Sequence, residues 1–297
     1  MIGVINVYKE AGWTSHDVVA KIKRLSRCKA GHTGTLDPNA CGVLPVCLGS
    51  ATKLADYIMG EDKEYEAEII FGIATDTLDS TGQITATAST NFNKEQLLTA
   101  INGFLGKIQQ LPPMYAAIKI GGKKLYELAR EGKTIKRTPR DVTIHKIEVL
   151  ALNLPRTAKI RVSCSKGTYI RSLCADIGEA LGTHAHMGEL TRTRSGIFYA
   201  DTATTIGELI KLADEGRLNE CVSPIEAIFP GLQKVTILPS GQKFLINGNP
   251  INPSYSDAGN PFLGEIVLTY SSDGKLCGLH EFIQKNEDVW LIPKVML

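Results

Sequence analysis

The chain has 297 residues, 43% hydrophobic and 22% charged, a balance that suits a folded globular protein of about two domains. Its formal net charge is only +2, so any nucleic-acid affinity must come from local patches and not from a global field. No run of about 18 apolar residues occurs, which excludes a helical membrane span, and seven cysteines without a C-x-x-C motif argue for reduced, buried thiols over a disulfide framework or zinc ribbon.

The opening stretch MIGVINVYKEAGW reads as a strand entering the fold directly. It has no basic segment followed by an apolar one, so a cytoplasmic protein is expected. Residues 15–27 carry Val18, Ile22 and Leu25 at helical spacing, with Ser15 placed to cap and Asp17 in the first turn. A second helix is predicted over 50–59. Residues 63–71 alternate, with Tyr65, Ala67, Ile69 and Phe71 on one face and Glu64, Glu66 and Glu68 on the other, the pattern of a half-buried strand. TDTLDSTG, 75–82, is a turn by composition. Asn93 followed by Gln96 forms a capping-box signal for a helix ending near Gly103.

A short helix is predicted over 126–130, and 142–152 with 158–164 read as a strand pair. Helices follow over 168–181, stopped by Gly182, and over 205–213. Strands and helices without regular βαβ alternation predict an α+β fold whose central sheet is mixed and mostly antiparallel. After Phe229-Pro230-Gly231 the texture changes to short strands and tight turns. Two units are expected, 1–230 and a β-rich 231–297, the second so small that it should dock on the first. No metal is expected at the close pair His184 and His186.

Three segments carry candidate chemistry. In GHTGTLDPNACGVLPVCLGSATK, 31–53, Asp37 is the single acid in a loop of small residues. Pro38 biases Asp37 toward extended backbone, and Gly31 and Gly34 allow close approach. The loop therefore presents one carboxylate at a fixed angle, although an Asx-type turn before proline accounts for the same residues. Residues 119–140 hold eight Lys or Arg against Glu127 and Glu131, with Tyr115 and Tyr126 nearby. That mix suits a phosphate backbone with bases beside it, or equally a solvated face. In CSKGTYIRSLCADIGEALG, 164–182, a strand runs through a turn into a helix whose start carries Tyr169 and Arg171. An arginine there can reach a carboxylate from another loop and hold it ionised.

Five blocks together resemble the bacterial tRNA pseudouridine-55 synthases: GVINVYKEAGWTS, the 31–53 loop, DKEYEAEIIFGIATDTLDSTG, QLPPMYAAIKIGGKKLYELAREG, and CSKGTYIRSLCADIGEALG with HMGELTRTRSGIF. They lie in order along the first two-thirds of the chain. INGNPI, 246–251, is similar to part of the small RNA-binding module of PUA type that ends many members. The chain departs from the family where Glu10 follows Lys9 in place of proline, and at Ala116 and Thr191.

The resemblance implies a pseudouridine-synthase fold with a C-terminal PUA-like module. It also implies isomerisation of the T-loop uridine of tRNA after base flipping, with no cofactor or metal, no obligate protein partner, no membrane, and a monomeric state. By the same resemblance Asp37 is the catalytic aspartate and Arg171 its paired arginine, while Tyr65 stacks on the target base. His32, Tyr169 and Leu190 bind substrate, with His32 supporting the reorganised T loop. Lys119, Lys123, Lys124, Arg130 and Arg192 are assigned to the RNA backbone.

These residue types suit the chemistry. The base must leave ribose C1′ at N1, rotate, and return through C5. Cleavage develops positive charge on the sugar, which a carboxylate can stabilise, attack or relieve by taking a neighbouring proton. Attack of Asp37 on C1′, addition to the uracil ring, and a route through a glycal all remain open. Tyr65 is also placed to take or relay the C5 proton. A hydrolytic glycosidase would want two carboxylates and a water, whereas this loop offers one acid.

Overall fold

The computed structural model describes residues 1–116, 118–120, 122–133, 135–259 and 262–297, and at 119, 120, 123, 124, 126, 127 and 130 the backbone alone. The alternating stretch is the strand Lys63–Phe71, with Ala67, Ile69 and Phe71 buried. It lies centrally, antiparallel to Thr157–Cys164 on one side and Ala185–Ser195 on the other. The sheet runs in the order Thr204–Thr205, Gly3–Lys9, Cys41–Leu48, Ala185–Ser195, Lys63–Phe71, Thr157–Cys164, Arg140–Asn153, Gly106–Gln110. Along this path only two neighbouring pairs are parallel, Gly3–Lys9 with Thr204–Thr205 and Cys41–Leu48 with Ala185–Ser195. The fold is thus α+β around a mixed, mostly antiparallel sheet, as the pattern predicts.

Two cores form where helices cover this sheet. Over one half, Ser15–Ser26 and Ile206–Asp214 bring Val18, Ile22, Ile206 and Leu209 onto Ile5, Val7, Leu44 and Val46. Over the other, Lys94–Asn102 and Ile170–Ala180 bring Leu97, Ile101, Leu173 and Ile177 onto Ala67, Ile69 and Ile160. Tyr65 and Leu190 pack against both cores, so the seam between them falls at these two side chains. Gly178 allows the last helix its close approach, since a Cβ there would stand 2.5 Å from that of Ala185.

Two outward carboxylates of the central strand, Glu64 and Glu66, are taken up by neighbours, Glu64 by the Ser163 and Thr193 hydroxyls. Arg161 reaches Glu66 at 2.7 Å and Lys159 reaches it at 2.9 Å. Such exposed pairs contribute little each.

Local differences from the predicted elements have plain causes. The capping residue of the first helix is Thr14, not Ser15: Thr14 and Asp17 exchange side-chain-to-amide hydrogen bonds at 3.0 and 3.1 Å. The predicted helix over 50–59 is a 3₁₀ segment, Gly49–Leu54, followed by Ala55–Met59. Thr52 Oγ1 folds back onto the Gly49 carbonyl at 2.8 Å within that tighter segment. The Asn93–Gln96 box forms reciprocally, at 2.8 and 2.9 Å.

Toward the C-terminus, Gln233–Thr236, Ile266–Tyr270, Leu276–Lys285 and Asp288–Met296 make a second, four-stranded sheet around Val235, Ile251, Phe282 and Leu291. Its Leu268 and Leu279 share a core with Val4, Val43 and Ile225, so it is docked on the large sheet. Among the described residues no helix is long and apolar enough to cross a membrane.

Candidate active site

Asp37 lies between Ala30–His32 and Cys41–Leu48, in a loop clamped on both sides of the acid. Before it, Leu36 is buried in the core and tied twice to Ser15. The Leu36 amide donates to Ser15 Oγ at 2.9 Å, and that hydroxyl donates to the Leu36 carbonyl at 3.1 Å. After it, the Pro38 carbonyl accepts from the Gly12 amide at 2.9 Å and from Lys9 Nζ at 2.9 Å. Lys9 is fully buried, and its ammonium also meets the Trp13 and Glu10 carbonyls at 2.6 and 3.1 Å. Both neighbours of Asp37 are therefore fixed, which sets the backbone from which its side chain projects. Ser15→Ala orphans a buried amide and is expected to cost about 1–3 kcal/mol of stability, read by urea unfolding.

The Asp37 carboxylate points at Arg171, in the first turn of Ile170–Ala180. Nε stands 3.1 Å from Oδ2, and Nη2 stands 3.3 Å from Oδ1, a two-pronged contact. Arg171 is itself pinned, donating to the Tyr115 carbonyl at 2.9 Å and the Thr77 carbonyl at 3.2 Å. It also faces a second carboxylate, Asp79, at 3.6 Å. Arg171 keeps only 7% of its side-chain surface exposed, whereas Asp37 keeps 37%, so the acid is the accessible half of the pair. Crowding by the surrounding protein pushes the Asp37 carboxyl above its ordinary range. Arg171 pulls it down, as the sequence suggests, but burial outweighs that pull, and Asp79 adds to the rise.

Asp79 is the residue that sequence reasoning passed over. Its stretch reads as a turn, and it is one, but the turn docks: Ser80 donates its amide to the Met187 carbonyl at 3.0 Å. Asp79 Oδ1 accepts from Thr77 Oγ1 at 2.7 Å and from the Thr81 amide at 3.0 Å. This second acid is thus committed to its own turn and to Arg171. The signal available in the sequence was Thr-x-Asp-x-Thr spacing, which supplies those donors.

Tyr65 and Leu190 sit at the seam, each half-buried. Burial pushes the Tyr65 phenol up, while the nearby Arg192 guanidinium opposes it. Tyr169 precedes the Arg171 helix, with its backbone held at both ends by the buried Gln110 amide, at 2.7 and 2.9 Å. Its phenol is raised by burial, and Asp37 is among the charges that act on it. His32 is desolvated, with His16 and Arg192 adding to the effect, and its pKa falls to about 4. Its Nδ1 accepts the Gly34 amide at 3.3 Å, so the neutral ring carries its proton on Nε2. The His16 ring meets it edge-on, 5.5 Å between centroids.

The assigned backbone-contact residues fare differently. Lys119 and Lys124 pair across a short two-stranded turn, and Lys123 belongs to the same ribbon, while Arg130 ends the helix Leu125–Arg130. The side chains of all four lie outside the described residues. Arg192 is a correction: it is 1% exposed and bonded to the Val43 and Gly34 carbonyls at 2.7 and 3.1 Å, and cannot reach a phosphate.

The comparisons with known proteins agree with one another. The family model described as "TruB family pseudouridylate synthase (N terminal domain)" matches residues 21–170, and "tRNA pseudouridylate synthase B C-terminal domain" matches 171–230. A tRNA pseudouridine synthase B of Clostridium novyi is 44% identical over 280 residues, covering 94% of this chain and 95% of that one. The Clostridium tetani protein of the same name is 46% identical over 250 residues, covering 84% and 85%. Among solved structures, a chain of a Cbf5–Nop10–Gar1 complex is similar at TM-score 0.74 and 30% identity, covering 100% of this chain and 84% of that one. A chain of an H/ACA RNP bound to a substrate RNA containing 2′-deoxyuridine gives 0.72 and 28%, covering 100% and 85%. With consecutive family matches across 21–230 and relatives more than 40% identical along most of their length, the chain belongs to the TruB family of pseudouridylate synthases.

Proposed function

We propose that this chain isomerises the T-loop uridine of tRNA to pseudouridine, with Asp37 as the essential catalytic group. The supporting observation is the Asp37 carboxylate, accessible on one side and gripped by Arg171 on the other, in a loop anchored beside Tyr65 and Tyr169. The reaction needs a nucleotide turned out of its stack, at a cost of a few kcal/mol. Stacking on one aromatic ring offsets about 1–3 kcal/mol of it, and Tyr65 and Tyr169 are the rings at hand. His32, a neutral planar ring, suits the space left by the extruded base.

Asp37 acts as the ionised carboxylate toward the sugar–base bond, and Arg171 keeps that form available against the pull of burial. Asp79 does not supply the second carboxylate of a hydrolase, because its oxygens are committed to Thr77, Thr81 and Arg171. We assign the chemistry to residues 1–230 and a further RNA contact to a PUA-like module in 231–297. The protein then works as a cytoplasmic monomer without an obligate protein partner.

The test uses the native protein and a T-arm stem-loop tritiated at uracil C5. Tritium release with a carbon-linked product is expected. Free uracil as product would favour a hydrolase, and RNA binding without turnover would favour a non-catalytic RNA-binding role.

A further inference from the structure

Among the described residues Arg192 is the largest fully buried side chain. Strand register puts it there: on Ala185–Ser195 it stands opposite Gly42 on one side and Tyr65 on the other. Gly42 has φ +103°, and a Cβ on it would fall 2.2 Å from the Arg192 carbonyl oxygen, so this approach requires glycine. From this position Nε donates to the Val43 carbonyl, and Nη2 to the Gly34 carbonyl. The guanidinium also lies by Tyr65, its partner on the central strand, and draws the phenol pKa down against burial. Among the described residues no carboxylate pairs with it. A guanidinium cannot shed its proton, so a permanent charge is held in the interior by carbonyl dipoles and no counter-ion.

Such a charge is a poor way to stabilise a core, because apolar packing of the same volume commonly does as well or better. What it supplies instead is a rigid planar fork. Its prongs tie the Asp37 loop at Gly34 and the following strand at Val43, and its strand register sets it beside Tyr65 on the central strand. The same Gly34 peptide donates its amide to His32 Nδ1, so the fork also steadies the peptide that sets the His32 tautomer.

We infer that Arg192 is a positioning residue for the isomerisation: from behind the cleft it locks the Asp37 loop to Tyr65 and turns the phenol so that its oxygen accepts from the guanidinium while its own proton faces the bound base. This rests on the isomerase reading above. The residue touches neither substrate nor reacting atoms, and its effect passes through Tyr65 and the loop.

R192K keeps the charge and loses the fork. With native protein as the control for tritium release, R192K is expected to slow single-turnover release at saturating RNA about 100-fold, with RNA affinity unchanged. Y65F should then cost far less in the R192K background than in the native one, the sign of a coupled pair. Native rates in R192K, additive losses, or an affinity loss matching the rate loss would each overturn the inference. Should R192K not fold, the native protein decides by ¹⁵N NMR. The Arg192 Nε–H signal is expected to resist exchange with water and to shift in Y65F. Rapid exchange, or indifference to Y65F, would overturn it. A native protein that released no tritium would count against the isomerase reading, leaving the NMR result to judge the fork.

Discussion

Asp37→Asn is expected to abolish tritium release from C5-labelled T-arm RNA, by at least about 10⁴-fold, with RNA affinity largely retained. The amide keeps the shape of the carboxylate and can still occupy the space beside Arg171. It cannot carry the negative charge that answers a developing cation on the sugar, nor attack, nor take a proton. The same variant should melt no lower than the native protein at pH 7. Burial raises the folded pKa of Asp37 above its unfolded value. The sign then follows from linkage: stability from such a group is present below the unfolded pKa and is lost as pH rises through the folded one. At neutral pH the ionised acid is therefore a burden on the fold, which its neutral isostere lifts. Loss of activity with loss of melting temperature would point to a structural role for Asp37 instead.

Removing Arg171 should have the second-largest effect, and of a different kind. Arg171→Gln leaves Asp37 and Asp79 without the cation between them and frees the Thr77 and Tyr115 carbonyls. Breaking a fully buried pair costs about 3–5 kcal/mol, but Asp37 is partly open to solvent, so about 2 kcal/mol is the expected loss of stability here. Arg171→Lys keeps the charge and separates the two effects. A single ammonium cannot serve both carboxylates and both carbonyls. The Asp37 carboxyl should then titrate higher still, since burial acts against less opposition. The acid limb of the pH–rate profile, where activity falls as Asp37 takes up a proton, should move to higher pH than in the native protein. Single-turnover rates of native and Arg171→Lys protein across the acid range check this. An unmoved limb would mean that Arg171 does not govern the ionisation of Asp37.

What the sequence made legible followed local rules. The strand Lys63–Phe71 could be read from its alternation, because one face is buried and the other wet. The helix Lys94–Asn102 could be read from Asn93 and Gln96, because a capping box is a short-range device. Asp37 stood out because a lone acid among small residues is conspicuous, and Arg171 because it opens a helix just past a strand. What was hidden depended on tertiary contacts. Asp79 looked like any turn aspartate until the turn docked beside Arg171. Arg192 looked like a surface cation, since arginine composition says nothing about a glycine across the sheet that makes room for it. Ser15 looked like a cap, whereas the helix was capped one residue earlier and the serine was free to clamp Leu36. The direction of the Asp37 shift was hidden for the same reason: a charge partner can be read from residue types, but desolvation depends on everything packed around the pair.

The central claim is that the carboxylate of Asp37 meets the sugar–base bond of an extruded uridine held on an aromatic ring. A crystal structure of the Asp37→Asn protein with an unmodified T-arm stem-loop tests it directly, since that complex should bind and not turn over. The target uridine is expected out of its stack, its base on Tyr65 and its C1′ about 3–3.5 Å from the side chain at position 37. A uridine still stacked in the loop, or one seated with its ribose away from that side chain, would contradict it.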